Sequence, residues 1–248
     1  MNIETYGRGE RLRLAASLLA SLPVKHLTLL PVPSTKDGKF VLNTDIPLSD
    51  TLVGVGDGSV VCGYALPGSF SDEAKSLGAT VIDLSLDEEY LKYNARLTAL
   101  GAIGYILGSV KDSLDGMHFG VVGYGRIGSE TVRLLLLLGA GVVVFTTRPE
   151  VRLMLGELGV DTADSGSLCR GDAVLDGIDV IVNTAPTDIS KAFGEGWNST
   201  GKRIIELASG ENFLGVDGVE RLPSLPEKCY PISAARAYAE GVKRALRL

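Results

Sequence analysis

Three glycines in the run Phe119-Gly120-Val121-Val122-Gly123-Tyr124-Gly125-Arg126-Ile127-Gly128 fall at the spacing G-x-G-x-x-G. An apolar stretch precedes them and an apolar helical pattern follows, which is the context in which this array binds a dinucleotide. Each glycine has its own task. Gly123 permits a tight turn, Gly125 lets a pyrophosphate approach the backbone, and Gly128 lets the following helix pack on the strand. Tyr124, Arg126 and Ile127 lie inside the array and belong to the same cradle. The pyrophosphate is expected at the amino end of the helix, where free N–H groups and the helix dipole favour an anion.

The end of the next strand selects the dinucleotide. An NAD site places Asp or Glu there to bond the ribose hydroxyls. This chain reads Thr146-Thr147-Arg148 instead. No carboxylate repels a 2′-phosphate, Thr147 offers a hydroxyl, and the Arg148 guanidinium matches a phosphate. NADP is therefore expected, with NAD as second choice, although Arg148 also suits a solvated surface charge. Asn183-Thr184-Ala185-Pro186 follows a later apolar strand, at the carboxyl edge where ligands bind. It is a candidate border of the nicotinamide ribose, and equally a turn begun by Asn and Pro.

A hydroxy-acid dehydrogenase needs a base near the carbinol, most often His. His26 and His118 each begin a strand, opposite the ligand edge, so that mechanism is disfavoured. The remaining substrate-site candidates are Ser34, Thr35 and Lys36 after an early strand, and Asn94 and Thr98 on a long helix. Hydroxyls and an amide can orient a carboxylate, and a lysine can neutralise it. Ser34 and Thr35 also fit a Pro-rich turn. No metal site is expected.

The elements that position these residues alternate between strand and helix patterns, which predicts an α/β protein with parallel sheets. The first series reads strand 3–6, helix 9–22, strand 27–32, loop or hairpin 39–47, strand 60–64, helix 69–77, strand 80–84 and long helix 93–110. After Asp115-Gly116 a second series begins. It reads strand 119–122, helix 126–138, strand 142–146, helix 149–158, and strands 178–183, 203–207 and 219–222. Pro223 and Pro226 mark a loop, and Ser233 is a candidate cap for a last helix through 246.

With 45% hydrophobic and 22% charged residues the composition is that of a soluble globular protein. A formal charge of −6 without any Lys/Arg-rich run argues against a nucleic-acid partner. The longest apolar run, 134–145, contains two glycines and falls short of the roughly 20 residues a bilayer requires, so no membrane partner is expected. Arg8, Arg11 and Arg13 before 14–22 faintly resemble a secretory signal. Glu4 and Glu10 interrupt the basic region, however, and a first helix of a cytoplasmic protein is preferred. Cys62, Cys169 and Cys229 are far apart and read as reduced thiols.

Several short runs, in order along most of the chain, resemble the A-subunit of dipicolinate synthase, and more distantly D-2-hydroxyacid dehydrogenases and S-adenosylhomocysteine hydrolases. They include Gly7-Arg8-Gly9-Glu10-Arg11, Leu30-Pro31-Val32-Pro33-Ser34-Thr35, Gly123–Gly128, the Thr147-Arg148 turn, Asn183–Pro186 and Glu206-Leu207-Ala208-Ser209. The resemblance implies two Rossmann-like domains linked by crossing helices: 1–92 with 233–248 for substrate, 93–113 as a crossing helix, and 114–232 for NAD(P). It implies an NADP-dependent oxidoreductase acting on a small carboxylated substrate of dihydropyridine type, a possible homodimer, and a smaller flavoprotein-like subunit. Leu100, Gly210 and Ile232 stand where that family carries Glu, Arg and Lys. They leave open an alternative: a divergent dinucleotide-binding protein or partner subunit without turnover.

Overall fold

The computed structural model describes residues 2–7, 9–170, 175–193 and 202–248. The chain divides into two compact units, Met1–Asn94 with Pro226–Leu248, and Ala95–Leu225. In chain order the elements begin with β1 (Asn2–Thr5), α1 (Glu10–Leu18), β2 (His26–Leu29), β3 (Ser59–Gly63), α2 (Gly68–Ser76), β4 (Thr80–Asp83) and α3 (Glu88–Ser109). There follow β5 (His118–Val122), α4 (Arg126–Leu137), β6 (Gly141–Phe145), α5 (Pro149–Glu157), β7 (Asp161–Ala163), α6 (Gly166–Arg170), β8 (Val180–Asn183), β9 (Arg203–Glu206) and β10 (Val219–Arg221). The last two are α7 (Leu225–Cys229) and α8 (Pro231–Ala245). The chain passes from one unit to the other within α3 and returns at Pro226.

The second unit carries a six-stranded, wholly parallel sheet in the order β10-β9-β8-β5-β6-β7. Counted from β5, this is the doubly wound order 3-2-1-4-5-6. The strand order reverses between β5 and β8, and the crevice at their carboxyl ends is where such sheets take ligands. Two apolar layers cover the two faces. Phe119, Val121, Val144, Val180, Val182 and Ile205 meet Val132 and Leu135 of α4 on one side. Val122, Phe145, Ile181 and Ile204 meet Leu168 and Phe213 on the other. Burial on both faces explains why these strands read as continuous apolar runs.

The first unit has a four-stranded parallel sheet in the order β1-β2-β3-β4. Leu27, Leu29, Val60 and Cys62 face Leu12 and Ala15 of α1, Leu19 just beyond it, and Ala235, Tyr238 and Val242 of α8. Val61, on the other face, meets Phe70 and Ala74 of α2 together with Val41, Leu48 and Leu52. Both α1 and α2 connect a strand to its next neighbour in the same direction, yet they lie on opposite faces. The two crossovers are therefore of opposite hand, and one is left-handed, a rare arrangement for βαβ units. The short path from α1 into β2 leaves no intervening strand to reverse the direction. The Tyr238 hydroxyl ties α8 to the sheet, lying 3.0 Å from the Leu30 carbonyl and 2.9 Å from that of Cys62. It is fully buried, so deleting it would cost the Leu30 carbonyl that donor, at about 1–3 kcal/mol, whereas the Cys62 carbonyl keeps the Leu30 N–H at 2.9 Å.

The elements differ from the sequence reading mainly at their ends. Helix α3 starts at Glu88 rather than 93, because the Asp87 carboxylate accepts the Tyr90 N–H at 3.0 Å and closes the first turn earlier. Helix α1 ends at Leu18, a turn before the predicted end at 22. Helix α8 begins at Pro231, whose missing N–H suits the first turn, so Ser233 lies inside the helix and is not its cap. The loop expected around Pro223 and Pro226 contains α7, and β7 and α6 are too short to leave a periodic signal. Among the described residues, no helix is long and apolar enough to cross a membrane.

Candidate functional site

The glycine-rich turn leaves β5 at Val122 and enters α4 at Arg126. Gly123 has φ +90, a conformation that L side chains rarely adopt, and its N–H donates to the Phe145 carbonyl at 2.8 Å. A Cβ there would also lie 2.9 Å from Thr184 Oγ1 and 3.1 Å from the Ala185 side chain. A Cβ on Gly128 would overlap the Gly123 carbonyl and come within 2.8 Å of Thr184 Oγ1. Both glycines are thus required by the protein's own packing.

Gly125 is different. Its φ is −84 and ψ −163, which any residue adopts, and nothing lies within 4 Å of where its Cβ would be. The protein has no internal use for glycine at this position. The space beside it is open, at the amino end of α4, which no side chain caps. The backbone donors of that first turn and the bare Gly125 surface form a cradle of the shape a pyrophosphate requires. Tyr124 and Ile127 are partly buried, whereas Arg126 is exposed beside the cradle.

Thr146, Thr147 and Arg148 follow β6 at the same sheet edge. Thr146 is buried and its hydroxyl accepts the Arg148 N–H at 3.3 Å. Thr147 and Arg148 are exposed. The Arg148 guanidinium donates from Nη2 to the Tyr124 carbonyl, which holds it over the glycine turn. A second arginine, not singled out from the sequence, joins it. Arg152 donates from Nη1 to the Thr146 carbonyl at 2.6 Å and stands 3.8 Å from Asp164. The signal available in the sequence was the spacing, since residues four apart share a helix face and Arg148 is the N-cap of α5.

Asn183 and Thr184 close β8 and act as scaffold. Thr184 Oγ1 donates to the Val122 carbonyl at 2.8 Å, pinning the start of the glycine turn. Asn183 is fully buried, and its amide donates to Glu206 Oε1 at 3.1 Å and to the Ala185 carbonyl at 3.0 Å. Glu206 also accepts the Ala208 N–H at 2.8 Å and the Asn212 amide at 3.2 Å. Ala185 is partly buried and Pro186 exposed at this edge.

Burial pushes the Glu206 carboxyl above the usual glutamate range, and the donors from Asn183, Ala208 and Asn212 offset only part of that. A raised folded-state pKa means that Glu206 contributes most below the unfolded-state value and loses that contribution as pH rises through the folded one. Glu206→Gln removes the ionisation. Its stability relative to the natural protein is therefore expected to improve with rising pH, in the window that opens at the ordinary glutamate range and extends above it. Denaturant unfolding at several pH values checks this; a difference that stays flat across the window would contradict it.

In the first unit, Ser34 is fully buried and its hydroxyl donates to the Pro31 carbonyl at 3.0 Å while accepting the Tyr64 N–H at 2.7 Å. Thr35 Oγ1 donates to Asp37 at 3.2 Å and accepts the Gly38 N–H at 2.9 Å, which organises a local turn. Lys36 is exposed and lines a cavity of about 190 Å³ with residues of the same loop, among them Asp37 and Asn43. Asn94 and Thr98 lie one turn apart on α3, Asn94 partly buried and Thr98 buried, on either side of the division between the units. His118 is exposed at the amino end of β5, and buried His26 is 3.1 Å from Thr28 Oγ1 at the amino end of β2. Neither histidine reaches a carboxyl edge.

No family model and no curated protein sequence matches the chain. Solved structures do. The A-subunit of dipicolinate synthase from Bacillus halodurans superimposes with a TM-score of 0.78 at 20% identity, covering 100% of this chain and 98% of that one. The fold is that of the dipicolinate synthase A-subunit. The corresponding chain of the Bacillus subtilis enzyme gives 0.77 at 19% identity over 100% and 96% of the two chains. Transhydrogenase from Sinorhizobium meliloti gives 0.65 at 17%, over 99% and 93%. At these identities the likeness is one of fold, and function has to be argued from the site.

Proposed function

We propose that the chain is an NADP-dependent oxidoreductase acting on a small carboxylated substrate of dihydropyridine type, with the dinucleotide held by residues of the 114–232 segment. The observation that carries this reading is Gly125, a glycine without an internal reason at the uncapped amino end of α4. The first turn of α4 binds the pyrophosphate. Arg148, with Thr147 beside it and Arg152 behind, holds the 2′-phosphate; NAD, lacking that group, binds second best. Asn183, Thr184, Ala185 and Pro186 shape the edge of the cleft next to the nicotinamide ribose, Thr184 doing so through the turn it pins. When bound, the dinucleotide supplies the hydride acceptor. Oxidising a dihydropyridine gains aromaticity, so the chain needs no histidine base, consistent with both histidines lying at the wrong sheet edges.

Residues 1–92 with 233–248 form the substrate part in this reading, and 93–113 the crossing helix. Ser34, Thr35, Lys36, Asn94 and Thr98 are its polar candidates. Two of the structural neighbours are named as the A subunit or A chain of a synthase, which supports a second subunit here; in this reading that subunit is smaller and flavoprotein-like, with a homodimer and a cytoplasmic setting as further elements. A second reading, dinucleotide binding without turnover, is favoured by one position. Gly210 has φ +105, a conformation in which an L side chain is strained, so the arginine of the resembled family has no equivalent here. The two readings separate when the protein is incubated with NADP⁺ and a cyclic dihydropyridine dicarboxylate. Rising nicotinamide absorbance near 340 nm is expected; tight NADP binding with no rise would favour the second reading.

A further inference from the structure

Arg11 lies in the first turn of α1 and is only 3% exposed. Its Nε is the one buried side-chain nitrogen or oxygen without a hydrogen-bond partner among the described residues. Its Nη1 reaches the Tyr90 hydroxyl at a long 3.4 Å. Burial pushes that hydroxyl up to about 12, so Tyr90 is neutral and supplies no counter-charge. Of the nearby acids, Glu10 pairs with Arg13 at 3.1 Å and Asp87 with Arg244 at 2.7 Å, and among the described residues no carboxylate forms a salt bridge with Arg11. A buried guanidinium without a carboxylate is costly, and buried polar groups left unpaired in native proteins call for an explanation such as a ligand.

The surroundings say which ligand. Arg11 is the second residue of α1, in the turn whose backbone N–H groups have no intrahelical acceptor, so the buried cation and those donors belong to the same end of the helix. No side chain hydrogen-bonds that end of the helix. It lies after β1, at the carboxyl edge of the sheet, and Gly7 just beyond that strand has φ +104. The Tyr64 and Tyr90 rings lie 6.2 Å apart beside it. The Glu227 carboxylate fills the space a Cβ on Gly9 would take, so this end of α1 already accommodates one carboxylate, from the chain itself. Guanidinium and helix amino end together suit a planar anion that accepts two parallel hydrogen bonds.

We propose that Arg11 and the amino end of α1 form a carboxylate-binding site that takes the acid group of a small organic substrate. This deepens the oxidoreductase reading by assigning the substrate's carboxylate a partner, and it rests on that reading for the word substrate. Glu227 is then a competing anion at the rim of the site.

The test uses the full chain, with pyridine-2,6-dicarboxylate as probe and its neutral diamide as control, read by calorimetry and thermal melting. The natural protein is expected to bind the dicarboxylate and not the diamide. Arg11→Met fills the same space without the charge. It is expected to melt no lower than the natural protein, because it removes an unpaired buried cation, and to bind the dicarboxylate about tenfold or more weakly, the loss of one charge-assisted bond. Glu227→Gln is expected to bind it several-fold more tightly. Equal affinity in Arg11→Met, or no binding by the natural protein at millimolar probe, would overturn the proposal. Should Arg11→Met fail to fold, unchanged affinity in Glu227→Gln does so. NADP titrated into the same samples keeps the two readings apart. Dicarboxylate binding without NADP binding sinks the oxidoreductase reading and leaves this site standing; the reverse result sinks the site alone.

Discussion

Gly125→Val is expected to abolish dinucleotide binding while leaving the unfolding transition in place. The backbone at 125 is in an ordinary extended conformation and nothing lies within 4 Å of where a Cβ would be, so the folded protein has room for a side chain there. What valine occupies is the space in which a pyrophosphate meets the backbone N–H groups. The expected loss is about 100-fold or more, or about 2.8 kcal/mol at 1.4 kcal/mol per decade. Gly128→Ala provides the contrast. Its methyl group would overlap the Gly123 carbonyl and crowd Thr184 Oγ1, so α4 must shift, at about 1–3 kcal/mol of overpacking strain. That variant should lose thermal stability as well as binding. Calorimetric titration and melting of the two proteins side by side make the comparison. Unchanged affinity in Gly125→Val would remove the dinucleotide assignment, and a large fall in its melting temperature would show that Gly125 serves the fold.

Arg148→Ala is expected to lower NADP affinity about tenfold and to leave NAD affinity within about twofold, since a charge-assisted contact is worth about 1.5–3 kcal/mol and a decade of affinity about 1.4. The preference should weaken with salt, because Arg148 is exposed and its attraction is screened. The guanidinium already donates to the Tyr124 carbonyl, so it is held at the edge of the turn before any ligand arrives. That bond gives the experiment a second outcome. If NADP and NAD weaken equally, Arg148 acts by holding the glycine turn and not by meeting a phosphate. Arg152→Ala, by contrast, removes a cation and leaves Asp164 with Arg170, 3.9 Å away, as its remaining cationic partner. It should reduce NADP binding and make NAD relatively more competitive.

The glycine turn was legible in the sequence because its signal is local: strand, three glycines and helix lie within a short run whose order alone fixes their placement. The alternating series likewise predicted both parallel sheets. The unread parts depend on partners far apart in the chain. Asn183 reads as a turn-former or ligand-edge residue, and only the pairing of β8 with β9 shows its amide bound to Glu206. Ser34 reads as a free hydroxyl after a strand, yet β3 brings the Tyr64 N–H onto it. Arg11 reads as one of the basic residues that open a first helix, and only the structure brings Tyr90, from a distant segment, onto its buried guanidinium. The strand β7 and the helix α7 are too short to carry any periodicity.

The most direct test of the central claim is a calorimetric titration of the natural protein with NADP and, separately, NAD. The account predicts one saturable NADP site per chain, with affinity several-fold or more above that for NAD. A protein that binds neither dinucleotide at millimolar concentration, or binds the two equally, would contradict it: the first result removes the site at Gly125, and the second removes the role of Arg148.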